Sequence, residues 1–227
     1  MKTTVRHRWS LSPSAAIALQ QQLRKKIRTS GTLRPNQIKT IAGADCAFDK
    51  AGRYGFAGVV VYRYPELEVI RRVGRRSRVT FPYVPGLLSF REAPLLLAAI
   101  EKLDELPDLF IFDGQGIAHP RRCGIASHMG LLLDRPSIGC AKSRLIGRHR
   151  TPGQKPGSSA PLTIDGEHVG NVLRTRRGCK PVYISVGHRI NLAQATEIVL
   201  KCVSKYRIPN PTRDADLYVA QLKARTK

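Results

Sequence analysis

Apolar residues first recur at helical spacing behind Ser12 and Pro13, where Leu19, Leu23 and Ile27 stand every four residues. A hydroxyl cap followed by proline suits a first turn, so the pattern predicts an opening helix that ends near Gly31. The spacing then changes. Three β-rich runs, Thr40–Phe48, 54–62 and 67–73, are separated by Asp49-Lys50-Ala51-Gly52 and by Tyr64-Pro65, which predicts an antiparallel meander. Beyond 82–86, Leu96, Ala99, Ile100 and Leu103 return to helical spacing, with Glu101, Lys102, Asp104 and Glu105 facing water, and this helix is expected to reach about Leu106. Leu109-Phe110-Ile111-Phe112, bounded by Pro107 and Gly114, is the nearly continuous apolar run of a buried parallel strand. A helix over Ile125–Leu133 and a strand over Ser137–Ala141 make a second βα unit. After them come an exposed basic loop over 148–161, a hairpin turning at Asp165-Gly166, a strand over 182–186, a helix over 193–206 and a last helix starting at Asn210-Pro211.

Three antiparallel strands followed by parallel βα units, all in one mixed sheet flanked by helices, define an α/β fold compatible with the ribonuclease H-like architecture. At 227 residues with 42% apolar content, the chain can bury a sizeable core and reads as one domain spanning 1–227. No internal repeat or low-complexity tract interrupts it.

Charge narrows the function. Lys and Arg outnumber Asp and Glu by 39 to 16, a formal charge of +23. No acid precedes Asp45, and none falls between Glu68 and Glu92, where Arg71, Arg72, Arg75, Arg76, Arg78 and Arg91 crowd together. Unopposed positive charge of this extent predicts a polyanionic partner, and no long apolar span or amphipathic anchor points to a membrane. The five cysteines, Cys46, Cys123, Cys140, Cys179 and Cys202, lack zinc spacing and read as buried reduced thiols. The basic stretch 1–8 runs into Trp9-Ser10-Leu11-Ser12-Pro13, not into an apolar run, so no secretory signal is expected and a cytoplasmic location is.

In a chain this poor in acids, carboxylates among apolar or basic neighbours are informative. Asp45 follows Ile41-Ala42-Gly43-Ala44, Asp113 ends the run 109–112, and Glu92 closes Ser89-Phe90-Arg91. Each has a structural alternative: a cap for Asp45, a turn at Asp113-Gly114, and a capping box from Ser89 to Glu92. Pro94 favours a helix start near Ala93, which would leave Glu92 free to point elsewhere. Together the three suggest a cluster for hard divalent cations. Magnesium takes oxygen ligands and can serve both the attacking and the leaving oxygen in phosphodiester hydrolysis.

Several strings are more specific still: Ile41-Ala42-Gly43-Ala44-Asp45, Pro82-Tyr83-Val84-Pro85-Gly86-Leu87-Leu88-Ser89-Phe90-Arg91-Glu92, Asp113-Gly114-Gln115-Gly116-Ile117-Ala118-His119-Pro120-Arg121-Arg122 and Gly139-Cys140-Ala141-Lys142. In this order, and on through Gly187-His188-Arg189, Tyr206-Arg207-Ile208-Pro209 and Pro211-Thr212-Arg213, the chain resembles the endonuclease V family. That resemblance implies a ribonuclease H-like fold. It also implies hydrolysis of the second phosphodiester on the 3′ side of deoxyinosine, the deamination product of deoxyadenosine, leaving a 3′-hydroxyl and a 5′-phosphate. Magnesium would be the cofactor, with manganese able to substitute.

By the same resemblance Asp45, Glu92 and Asp113 would hold metal, with Asp216 completing the set, while His119 and Lys142 would serve near the scissile phosphate. Tyr83, stiffened by Pro82 and Pro85, would be the wedge that replaces stacking as the damaged nucleotide turns out. Backbone at Gly86, Leu88, Gly114 and Gly139 would line the base pocket, and Arg121 and Arg122 would hold backbone phosphates. The DNA partner would carry deoxyinosine or another deaminated base, and the protein would act as a monomer. Gln115 departs from the His or Asn expected between Gly114 and Gly116, which opens the question of substrate preference, inosine in RNA included. An inosine-specific endoribonuclease, a general ribonuclease H-like nuclease and a non-catalytic nucleic-acid-binding protein are the alternatives. The block 82–86 speaks against the general nuclease, and the three acids together speak against the binding protein.

Overall fold

A computed structural model describes residues 5–31 and 33–225; residues 1–4 of the basic N-terminal stretch lie outside the described residues. Ser12 accepts a hydrogen bond from the Ala15 amide (3.2 Å) and caps α1 (Pro13–Arg24). The helix stops short of Gly31 because the chain is drawn aside: the Arg28 amide donates to His188 Nδ1 (3.2 Å) and the Arg189 amide to the Arg28 carbonyl (2.7 Å).

The meander forms as β1 (Thr40–Phe48), β2 (Tyr54–Arg63) and β3 (Glu68–Arg78), in antiparallel register with Asp45 opposite Gly58 and Gly58 opposite Gly74. α2 (Leu88–Ile100) begins a turn earlier than Pro94 suggests and carries that proline inside it. No side chain caps its start, so the Ser89–Glu92 capping box does not form, and Glu92 sits on the helix itself. The burial of Phe90, Ala93, Leu96 and Ile100 outweighs the one intrahelical bond that the proline removes. The helix ends at Ile100, short of Leu106, in a turn closed by the Lys102 and Leu103 amides.

β4 (Leu109–Phe112) lies parallel to β1, with Ala44 opposite Phe112, and α3 (Ile125–Leu133) returns the chain to β5 (Ser137–Ala141), parallel to β4. Parallel pairing stops there. β6 (Ser159–Ile164), β7 (Glu167–Leu173) and β8 (Val182–His188) are all antiparallel, and β8 joins β5, giving one eight-stranded sheet in the order β3-β2-β1-β4-β5-β8-β7-β6. The loop expected over 148–161 is shorter, since Arg148 bridges Thr163 and residues from Ser159 onward form the edge strand. α4 (Leu192–Lys201) and α5 (Asn210–Ala224) complete the chain; α4 ends before Tyr206.

Helices α2 and α3 cover one face of the sheet over Ala44, Val59, Phe110 and Phe112, while α4 and α5 lie on the other. α5 crosses β1 at Gly43, where a Cβ would stand 2.0 Å from the Pro211 carbonyl oxygen. Only glycine permits that approach, and it sets α5 beside Asp45. The thiols are all free, but Cys46 and Cys179 are only half-buried, in contrast to Cys123, Cys140 and Cys202. Among the described residues, no helix is long and apolar enough to cross a membrane.

Candidate active site

Asp45 is placed by β1, Asp113 by the residue after β4, and Glu92 by α2 packed over β1, where the Cys46 thiol lies 4.0 Å from the Glu92 carbonyl. Because β1 and β4 run parallel in register, both aspartates leave the same end of the sheet. Burial pushes the Asp45 carboxyl up to about 7, and the charge of Asp113 adds to the rise against the Cys46 amide, which donates to Oδ1 at 2.8 Å. Glu92 is pushed up to about 8, first by burial and then by Asp45 and Asp113. Asp113 is raised by burial, with a hydrogen bond from Lys142 in opposition. Charge thus links the acids across three separate elements, Asp113 raising Asp45 and both raising Glu92.

Lys142, just past β5, answers that charge. Its Nζ lies 2.5 Å from Asp113 Oδ2 and 3.0 Å from Asp216 Oδ2 on α5. Burial alone would lower the ammonium's pKa, but the two carboxylates outweigh it and hold Lys142 protonated well above its ordinary range. Asp216 is thus brought to the site by α5. Among the described residues no three His, Cys, Asp or Glu side chains close into a ready-made metal cage. The donor set nevertheless fits a hard divalent cation: it is all carboxylate oxygen, and its raised acids are relieved by positive charge beside them.

Beside the acids is a cleft of about 420 Å³ lined by Tyr83, Pro85, Gly86, Leu88, Gly114 and Gln115 among others. Tyr83 stands at its mouth, 70% exposed. Pro82 is exposed on the same loop outside the lining, and Gly139 lies behind the wall, where a Cβ would stand 2.4 Å from the Gly116 amide nitrogen. Gly139 therefore packs the loop 113–116 against β5 without itself lining the cleft.

The loop holding Tyr83 is braced at the Gly86 carbonyl, which accepts from Gln20 Nε2 (3.1 Å), His119 Nε2 (3.0 Å) and Arg121 Nη2 (2.7 Å). Gly86 has φ of +76°, a conformation that suits glycine. The His119 Nδ1 accepts from the Arg121 amide (3.2 Å), and burial, aided by the charge of Arg121, drops the ring to about 4, so it is neutral with both nitrogens engaged. Arg121 also donates from Nε to Gln20 Oε1 (2.5 Å). Arg122 donates twice to Glu167 Oε2 (2.9 and 2.7 Å). Both arginines are tied within the protein, and His119 braces the loop that holds Tyr83.

Gln20 and Ser143 belong to the site and carry no signal in the sequence. Gln20 is a buried residue of α1 at the meeting point of 86, 121 and 123, and only its helical spacing with Leu23 hinted that it faces inward. Ser143 matters through its backbone carbonyl, which accepts from Gln115 Nε2 at 3.1 Å.

An α/β protein whose central parallel strands deliver acids to one end of a mixed sheet, beside a cleft, has the architecture of a ribonuclease H-like nuclease. The endonuclease V family pattern matches residues 21–217, and the chain belongs to that family. An endonuclease V from Nostoc punctiforme is 50% identical over 210 residues, covering 92% of this chain and 95% of the relative. The crystal structure of endonuclease V from Bacillus subtilis superposes with a TM-score of 0.93 at 36% identity, over 99% of this chain and 98% of that one. Ciona intestinalis endonuclease V, in complex with a 24mer DNA containing an inosine followed by a ribo-adenosine, superposes with a TM-score of 0.85 at 28% identity, over 94% and 98%.

Proposed function

We propose that the protein is a DNA repair endonuclease that hydrolyses the second phosphodiester 3′ to deoxyinosine, leaving a 3′-hydroxyl and a 5′-phosphate, with Asp45, Glu92, Asp113 and Asp216 as the metal-binding acids. The observation that supports this reading is the charge coupling of acids from three elements, Asp113 raising Asp45 and both raising Glu92, with Asp113 and the exposed Tyr83 lining the same cleft. The inosine-containing DNA of the Ciona complex supports the substrate class.

Magnesium, or manganese in its place, would supply charge for the attacking and leaving oxygens of the phosphodiester. The chain's own residues do the rest. Tyr83 enters the helix beside the lesion and replaces lost stacking, which is cheapest at a mispaired base. Gly86, Leu88 and Gly114 line the pocket that takes the extruded base. Lys142, beside Asp113 and Asp216 in the cleft lining, would present its ammonium to the phosphate. Arg121 and Arg122 are already paired, so phosphate contacts outside the site fall to the arginines of β3.

A second reading, cleavage beside inosine in RNA, is favoured by the ribo-adenosine that follows inosine in the Ciona complex. A monomer in the cytoplasm suits either. The test is an end-labelled duplex with one deoxyinosine, incubated with magnesium or EDTA beside an undamaged duplex. One magnesium-dependent nick past the lesion's 3′ neighbour is expected, and D45A should lose it while still binding DNA. Equal cutting of both duplexes, or cutting by D45A at the native rate, overturns the reading.

A further inference from the structure

Gln115 is 7% exposed and lines the cleft, yet its Oε1 is a buried atom with no hydrogen-bond partner. Its orientation is not free. Nε2 donates to the Ser143 carbonyl (3.1 Å), and because a carbonyl can only accept, the amide nitrogen must face Ser143 and the oxygen must face away from it. The backbone beneath is equally fixed. The Gln115 carbonyl accepts from the Ala126 amide (3.1 Å), the Gly116 amide donates to Ser185 Oγ (2.8 Å), and Gly124 and Gly139 press against this loop where a Cβ would collide. A buried acceptor held this rigidly and left without a donor is the kind of group that a ligand satisfies.

The chemistry of deamination indicates which donor. Adenine carries a bare lone pair at N1, and cytosine carries one at N3. Replacing the adjacent amino group by a carbonyl converts that nitrogen into an N–H, so hypoxanthine, xanthine and uracil share a lactam donor that adenine and cytosine lack. We propose that Gln115 Oε1 is the specificity-determining acceptor that reads this lactam N–H: a deaminated base pairs with it, whereas adenine or cytosine sets lone pair against lone pair. Guanine also carries an N1 proton and is not excluded by this contact. The inference rests on the function proposed above, and it assigns selectivity to one side chain of the cleft lining.

The experiment is single-turnover cleavage of one duplex carrying either deoxyinosine or deoxynebularine, the same purine without the 6-oxo group and without the N1 proton. Wild type, Q115M and Q115E are compared. Any effect of the missing 6-oxo group is common to all three, so the change in the inosine-to-nebularine ratio isolates the N1 contact. Q115M, which keeps the length and lacks the acceptor, should lower the ratio by about tenfold or more, as the loss of one buried hydrogen bond implies. Q115E, which keeps an acceptor, should retain it. An unchanged ratio in Q115M overturns the proposal. So does an equal fall in Q115M and Q115E, since both lose the bond to Ser143 and that outcome assigns Gln115 to holding the loop. Q115A replaces Q115M under the same criteria if the latter does not fold. Failure of the wild type to cut deoxyinosine strikes the proposed function instead, so the two failures are distinguishable.

Discussion

Lys142 holds the position between Asp113 and Asp216 that a divalent cation would contest, at 2.5 Å and 3.0 Å from their Oδ2 atoms. A cation and this ammonium cannot both neutralise the same oxygens without repelling each other, so binding of one displaces the other. K142A is therefore expected to bind manganese more tightly than wild type in the absence of DNA, read by calorimetry, while cleaving about 10²- to 10³-fold more slowly because charge opposite the phosphate is lost. Equal manganese affinity in the two proteins sinks the displacement argument. Single residues also show what a sequence can and cannot display. Asp45 and Asp113 are legible because a charge that interrupts or ends an apolar strand needs a reason. Gln20 is not, because a neutral amide in a helix gains its role only when 86, 121 and 123 arrive beside it. Arg122 is legible as a charge, but its pairing depends on Glu167, on a strand far along the chain.

Among the elements, β3 has the most to answer for. It is an edge strand whose free side would invite another chain, and its arginines blunt that risk. Its register gives them a second use. Asp45 faces Gly58 and Gly58 faces Gly74, so β3 at Gly74 is two strands, about 10 Å, from the acid, and Arg76 and Arg78 lie beyond it toward the same end of the sheet. Side-chain alternation puts both on the α5 face, as Asp45 is, because a Cβ on Gly74 or on Gly43 would meet α5. Arg76 is already stacked on the exposed ring of Tyr54 at 3.9 Å. The double variant R76E/R78E should bind duplex DNA more weakly, with the slope of log K against log salt shallower by about 2, and melt as wild type does. An unchanged slope removes β3 from the DNA path. The strands β1 to β5 could be read from turns and apolar runs, and the pairings β1–β2, β2–β3 and β4–β5 are local or go through one helix. β4 reaches β1 across two strands and a helix, and its place there came from the family's fold. That β8 pairs with β5 antiparallel could not be read, since a strand's identity is written in its own residues and its neighbour is chosen by the rest of the fold.

For the whole molecule, buried titratable groups set how the fold responds to acid. Burial holds His128 down to about 3, and the nearby His7 adds to that; its Nδ1 lies 3.1 Å from Ser89 Oγ and its Nε2 2.8 Å from His7 Nε2, tying the N-terminal segment to α2 and α3. In the unfolded chain the same imidazole titrates near 6.5. Between those values the unfolded chain has taken a proton that the folded protein refuses, so the stability from a neutral His128 is fully present above about pH 6.5 and is lost as pH falls toward 3. The slope approaches about 1.4 kcal/mol per pH unit for one such group. Asp45 and Glu92 pull the other way. Raised to about 7 and about 8, they favour the fold below their unfolded values and lose that contribution as pH rises through the folded ones. The two trends overlap between pH 4 and 6.5, so a single melting curve would mix them. The difference between wild type and H128Q separates them, because the carboxylates are common to both. H128Q should melt lower than wild type at pH 7.5, and the gap should narrow steadily as the pH is brought to 4.5, where the native histidine has become a liability that glutamine does not share. Parallel melting curves across that range would mean that His128 is protonated in the folded state after all, with the N-terminal segment open to water above it.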